Sequence, residues 1–154
     1  MDKPLTPSSE IREAGASDLA AVLPLFGQLG MDDGAVLAPA DAERLFEKMR
    51  RYPDYRLYLA VVDGQVAGIF ALLVMDNLGH RGAPSGIVED VIVREGWRGW
   101  GIGTAMMRFA MERCREKNCY KMVLSSDSRR RDAHRFYEAL GFELHGYSFG
   151  VTRT

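Results

Sequence analysis

Cysteine and histidine are scarce in this chain, with two Cys and three His in 154 residues. Cys114 and Cys119 stand five positions apart, with no CxxC pair and no His-rich spacing near them. That excludes a disulfide framework and leaves no ligand set for zinc, so no metal is expected. Such a chain suits a reducing cytoplasm, with Cys114 read as a small apolar helix residue. An excess of one charge is missing too: 20 Lys and Arg oppose 21 Asp and Glu, a net charge of −1. Domains built to grip nucleic acid are usually strongly basic, so no nucleic-acid partner is expected. No apolar run approaches the roughly 18 residues of a membrane span, so no membrane partner is expected either. The first ten residues, Met1 to Glu10, contain no apolar stretch. They read as a short disordered lead-in rather than a secretory signal.

What is present is enough for one domain over residues 11–154. Hydrophobic residues make up 47% of the chain, and a fold of this length buries about 70% of the surface its unfolded chain exposes. Ile11 to Ala14 reads as a strand, and Ser17-Asp18 as a helix cap. Leu19, Val22, Leu23, Phe26 and Leu29 then recur at helical spacing, with a kink or break expected at Pro24. Ala42, Leu45, Phe46 and Met49 mark a second helix over 41–51. The period then changes to that of strands. Residues 58–62 and 65–74 flank Asp63-Gly64, a hairpin turn signal. A loop over 77–85 leads into a strand at 87–93. A helix over 101–117, a strand over 120–125, a helix over 132–140 stopped by Gly141, and one or two strands over 142–151 complete the order. The pattern predicts one mixed α/β domain with helices on both faces of a central sheet.

One segment carries chemistry. The strand Ile87-Val88-Glu89-Asp90-Val91-Ile92-Val93 feeds Arg98-Gly99-Trp100-Gly101-Ile102-Gly103-Thr104, which opens a helix. A glycine-rich turn at a helix N-terminus offers several backbone N–H groups and partial positive charge to an anion. It reads as a phosphate or pyrophosphate cradle. A P-loop would need Gly-Lys-Ser/Thr, and this turn has no lysine. A dinucleotide fingerprint needs G-x-G-x-x-G, whereas the spacing here is G-x-G-x-G.

What remains is R-x-x-G-x-G on Arg98, Gly101 and Gly103. With it goes a second block, Ala133-His-Arg-Phe136-Tyr137-Glu-Ala-Leu-Gly141-Phe142. In these two blocks, in this order, the sequence resembles the GNAT superfamily of acyl-CoA-dependent N-acetyltransferases, over nearly the whole chain from Ile11. The resemblance implies the GNAT fold, with a mixed, mostly antiparallel sheet. It also implies transfer of acetyl from acetyl-CoA to a primary amine of a small molecule or peptide, by direct attack in a ternary complex. Arg98, Gly99, Trp100, Gly101, Ile102, Gly103 and Thr104 would hold the CoA pyrophosphate. Backbone groups of Val91, Ile92 and Val93 would bond the pantetheine arm, with a strand N–H near Val91 facing the oxyanion. Arg130 stands where the family often has Asn. With Arg129 and Arg131 it either reaches CoA phosphates or begins a solvated helix.

Tyr137 is the family's usual general acid for the departing thiolate, set against a plain core tyrosine. Glu89 is the candidate base for the acceptor ammonium and Asp90 the second, with a structural ion pair as the other reading. Strict alternation would put Ile87, Glu89, Val91 and Val93 on one face, and Val88, Asp90 and Ile92 on the other. His80 reads as a surface loop residue. Asp32 and Asp33 either attract a cationic amine or cap the second helix. His145 falls on a terminal strand of a kind that often makes dimer contacts in the family, so a homodimer is among the implications. The run Val88-Glu89-Asp90-Val91 is similar to that of amino-sugar acetyltransferases. Two rival readings stay open: a non-catalytic acyl-CoA-binding regulatory module on the same fold, and a nucleotide-binding protein using the turn. Charge is also segregated. Residues 94–135 hold 11 Lys and Arg against 5 Asp and Glu, and the rest of the chain 9 against 16. That distribution suits an anionic donor and a cationic acceptor amine.

Overall fold

The computed structural model describes residues 10–152, so Met1 to Ser9 of the expected lead-in lie outside it. Two compact units are present, one running up to Val123 and the other from Leu124 onward. The larger unit is a five-stranded sheet in the order β1-β2-β3-β4-β5. Its strands are β1 (Glu10–Glu13), β2 (Tyr55–Val62), β3 (Gln65–Met75), β4 (Ser85–Val93) and β5 (Lys121–Leu124). The pairings from β1 through β4 are antiparallel. Asp63 and Gly64 join β2 to β3 with φ of +49° and +75°, the left-handed pair that a two-residue hairpin turn requires. Strand β2 begins three residues earlier than its apolar run suggests, because Arg56 lies within it and pairs with Glu13 at 3.3 Å.

The pleat sorts side chains between two helical layers. Leu57, Leu59, Val61, Ile69, Ala71 and Ile92 pack with Val22 and Leu25 of α1 (Leu19–Gln28) and with Ala42 and Phe46 of α2 (Pro39–Arg50). On the alternate positions, Tyr58 and Phe70 stack at 5.2 Å and both meet Phe109 of α3 (Ile102–Glu116). Met106, Met107 and Ala110 of the same helix are fully buried. Helices therefore cover both sheet faces, as the periodicity predicts.

Three local expectations are corrected. The first helix runs through Pro24 without a break. Pro24 and Ala20 are both exposed, so water can satisfy the Ala20 carbonyl that the proline leaves without a donor. Asp18 does not cap α1 with its side chain. It accepts from the Gly15 N–H at 2.7 Å and forks onto Arg12 at 2.8 and 2.9 Å, tying β1 to the helix entry. Residues 142–152 form no strand among the described residues. Their alternation of Tyr147, Phe149 and Val151 with small polar residues fits a half-buried strand, yet these three side chains are exposed.

Gly86 of β4 packs directly against the buried Cys114, so a methyl at position 86 would collide with the Cys114 sulfur. Gly86→Ala should cost about 1–3 kcal/mol of stability by overpacking. The double variant Gly86→Ala, Cys114→Ala should recover most of that loss in denaturant titrations.

Candidate active site

The site is organised by a break in β4. Ile92 lies opposite Ile69, and Glu89 opposite Ala71. Two residues of β4, Asp90 and Val91, therefore face the single residue Phe70, which is a β-bulge. Asp90 carries the irregularity, with φ of +54°. The strict alternation expected along this strand consequently fails after Glu89. Glu89 and Ile92, three apart in sequence, fall on the same face, and Ile92 joins the core beneath α1 and α2. Glu89 and Asp90 are exposed where the strand bends, while Val91 and Val93 are half-buried. Desolvation raises the Asp90 carboxyl above its ordinary pKa.

Beyond the bulge the outer edge of β4 has no neighbouring strand among the described residues. The Tyr120 N–H donates to the Pro84 carbonyl at 2.9 Å, setting the start of β5 beside the start of β4. Strand β5 has only four residues and spans about 13 Å, so it ends well short of Val93. This edge, on which the Gln28 side chain takes the Val93 carbonyl, is where the sequence places Val91, Ile92 and Val93 for the pantetheine arm.

The turn after β4 is glycine-built. Gly99 and Gly101 have φ of +78° and +79°, a region costing other residues about 1–2 kcal/mol. A Cβ at Gly99 would meet only open space. Gly101 is the N-cap of α3, and no side chain caps that helix. The first helical bond runs from the Ala105 N–H to the Gly101 carbonyl at 3.0 Å. The N–H groups of Ile102, Gly103 and Thr104 thus project from the helix start, where the dipole adds positive character. Trp97 and Trp100 meet edge to face at 5.5 Å beside the turn. Arg98 is exposed, and no carboxylate pairs with it among the described residues. An open glycine turn, an uncapped helix start and an unpaired guanidinium fit a diphosphate ligand.

The smaller unit holds α4 (Arg131–Ala139). Tyr137 packs between Phe136, at 5.2 Å, and Phe142, at 5.4 Å. Burial raises its phenol above the ordinary value and the charge of Arg130 opposes that only in part, so the hydroxyl keeps its proton at neutral pH. Arg130 is the N-cap residue and makes no ion pair among the described residues. Arg129 is committed elsewhere, forking onto Asp127 with two bonds of 2.9 Å. Of the three arginines, Arg129 is thus bound within its own turn. His134 bonds the Asp127 carbonyl at 2.8 Å.

A family model described as the acetyltransferase (GNAT) family matches residues 26–142. This chain belongs to that family. Its sequence is 30% identical over 137 residues to the glucosamine 6-phosphate N-acetyltransferase of Trypanosoma brucei brucei, covering 88% of this chain and 90% of that one. It is 29% identical over 143 residues to the aminoalkylphosphonate N-acetyltransferase of Salmonella typhimurium, covering 93% and 90%. The solved structure of a Trypanosoma brucei acetyltransferase superposes with a TM-score of 0.81 at 28% identity, covering 94% of this chain and 99% of that one. The protein is a GNAT-fold N-acetyltransferase that uses acetyl-CoA as donor.

The other sequence candidates sit in turns and loops. His80 is exposed and stacks on Tyr120 at 3.7 Å, as suits a surface loop residue. Asp32 and Asp33 do not cap α2, whose N-cap is Ala38. They form a left-handed turn of their own, with φ of +50° and +55°. His145 lies in the strandless segment. No cluster of three potential metal ligands occurs among the described residues, and none of their helices is long and apolar enough to cross a membrane.

One group close to the two carboxylates escapes a reading of the sequence. Tyr55 opens β2 on the sheet face that carries Glu89, stacked on Tyr52 at 5.8 Å. Burial raises its phenol, and the charges of Asp90 and Glu89 raise it further, which sets an aromatic hydroxyl in the field of both carboxylates. For the turn, Gly101→Ala should raise the acetyl-CoA dissociation constant about tenfold through strain at the cradle. Calorimetric titration checks this, with β-sheet circular dichroism unchanged.

Proposed function

We propose that this enzyme moves acetyl from acetyl-CoA to the primary amine of a small molecule carrying a phosphate or phosphonate group. The reaction is direct attack in a ternary complex. The observation that carries the reading is the bulge at Asp90–Val91, which gathers two exposed carboxylates and an open strand edge a few residues before the anion cradle. The two named relatives, one acting on glucosamine 6-phosphate and the other on aminoalkylphosphonates, supply the acceptor class. Both substrates are amines bearing an oxyanion on phosphorus.

An ammonium has no lone pair, so a proton must leave it before attack. Glu89 accepts that proton, with Asp90 as its alternate. The raised pKa of Asp90 makes it a better proton acceptor than an ordinary aspartate. Arg98 to Thr104 hold the donor's phosphates, while Val91 to Val93 bond its pantetheine amides through the backbone groups that Gln28 leaves free. The Val91 N–H faces the carbonyl oxygen as negative charge builds there. Tyr137 returns a proton to the departing thiolate. Holding amine and thioester together supplies much of the acceleration. Cys114 is buried behind Gly86 and Cys119 follows the end of α3 opposite the cradle, so no acetylated cysteine enters the scheme. The reduced thiols suit a cytoplasmic enzyme. The exposed alternation of Tyr147, Phe149 and Val151 suits a homodimer in which this segment is covered by a second copy.

Release of free thiol from acetyl-CoA across a panel of amines tests the proposal. Phosphorylated or phosphonylated primary amines should be turned over at least tenfold more efficiently than their dephosphorylated counterparts. Equal turnover of both sets would refute the acceptor class. Tyr137→Phe should lower kcat by about 10²-fold while the acetyl-CoA dissociation constant stays within twofold. Undiminished kcat in that variant would remove Tyr137 as the acid.

A further inference from the structure

We infer that Gln28 is a positioning residue for the donor cradle, bolting the end of β4 to the end of α1. Its side-chain amide donates from Nε2 to the Val93 carbonyl at 2.8 Å. Its Oε1 accepts from the Glu95 N–H, also at 2.8 Å. Both ends of one carboxamide are therefore used, on two backbone groups that flank Arg94. The Arg94 N–H itself points the other way, to the Ala67 carbonyl of β3 at 2.8 Å. In extended chain, backbone groups of successive residues face opposite edges. Val93 O and Glu95 N–H thus lie on the outer edge of β4, past the reach of the four-residue β5. There Gln28 takes the place that a neighbouring strand would occupy.

The bolt is anchored firmly at its other end. Gln28 is the last residue of α1, three positions after Leu25, which is buried in the core along with Val22. Its neighbour Gly27 lies tightly beneath the next turn, where an added Cβ would meet the Gly34 carbonyl at 3.2 Å. Immediately downstream of the bolted residues the chain closes a turn, Trp97 N–H to Arg94 O at 2.9 Å, and enters the Arg98–Thr104 cradle. Val93 to Glu95 is the stretch of chain that leads from β4 into that cradle. Without the carboxamide, one edge of this approach would be held by water alone, and the glycine turn would have to be ordered when the ligand arrives.

This inference rests on acetyl-CoA being the ligand of the cradle. Two variants and two readouts test it. Gln28→Leu keeps the bulk and removes both bonds. Gln28→Glu keeps the size and the acceptor for Glu95 N–H, but sets a carboxylate oxygen against the Val93 carbonyl. Both should raise the acetyl-CoA dissociation constant about tenfold by calorimetry, with kcat at saturating donor and the amine KM within threefold of wild type. Hydrogen exchange should quicken at the Glu95 amide while the β2–β3 core amides keep their protection. Unchanged or tighter acetyl-CoA binding by folded Gln28→Leu would overturn the role. So would wild-type affinity in Gln28→Glu, since it would mean that any polar side chain suffices. Failure of the wild-type chain to bind acetyl-CoA would instead overturn the donor assignment on which the inference depends.

Discussion

One extra residue in β4 sets the geometry of the strand that carries the two candidate carboxylates. Pairing of β3 with β4 is regular from Ser85 to Glu89, slips at Asp90 and Val91, and resumes at Ile92. The slip turns Ile92 into the core and exposes Glu89 and Asp90 side by side. It also bends the strand, as a bulge does. A left-handed aspartate costs conformational energy. Here the surrounding structure holds it, because Ile69 and Ile92 on one side of the bulge and Ala71 on the other are buried.

The donor side follows from that bend. Beyond it β4 has β3 on one edge only, since β5 stops early. An unpaired edge is a liability in a sheet, and here it leaves backbone N–H and C=O groups of β4 without a strand partner. The final residues of the edge are not left open, because Gln28 bonds them. Next comes a helix whose first N–H groups have no side-chain cap. Sheet edge, bolt and helix start thus succeed one another along the chain, from backbone amides without a strand partner to a helix N-terminus of the kind that suits an anion.

Much of this architecture is legible in the amino-acid order. Alternation revealed β2 and β3 with their Asp-Gly turn, and helical spacing revealed α1 to α4. The glycine spacing singled out the cradle. Three features were not legible, each for a physical reason. The bulge is hidden because Glu89 and Asp90 are adjacent polar residues, and either phase of alternation accommodates one of them. Gln28 acts across 65 positions of sequence, and nothing local distinguishes it from any glutamine at a helix end. Tyr55 precedes Arg56, whose charge masks the beginning of β2. The reverse holds at residues 142–151, where alternation predicts strands. A strand needs a partner edge as well as a pattern, and this segment pairs with none among the described residues.

The bulge can be separated from the carboxylate that occupies it. Asp90→Gly preserves the backbone, because glycine accepts a positive φ, and removes only the side chain. Deletion of Asp90 removes the extra residue and lets β3 and β4 pair without interruption. The deciding measurement is the acetyl-CoA dissociation constant of these two variants by calorimetry, on protein shown to be folded. If the bend builds the donor site, Asp90→Gly stays within threefold of wild type and the deletion weakens binding by 10²-fold or more. Equal affinity in the two variants would contradict that dependence.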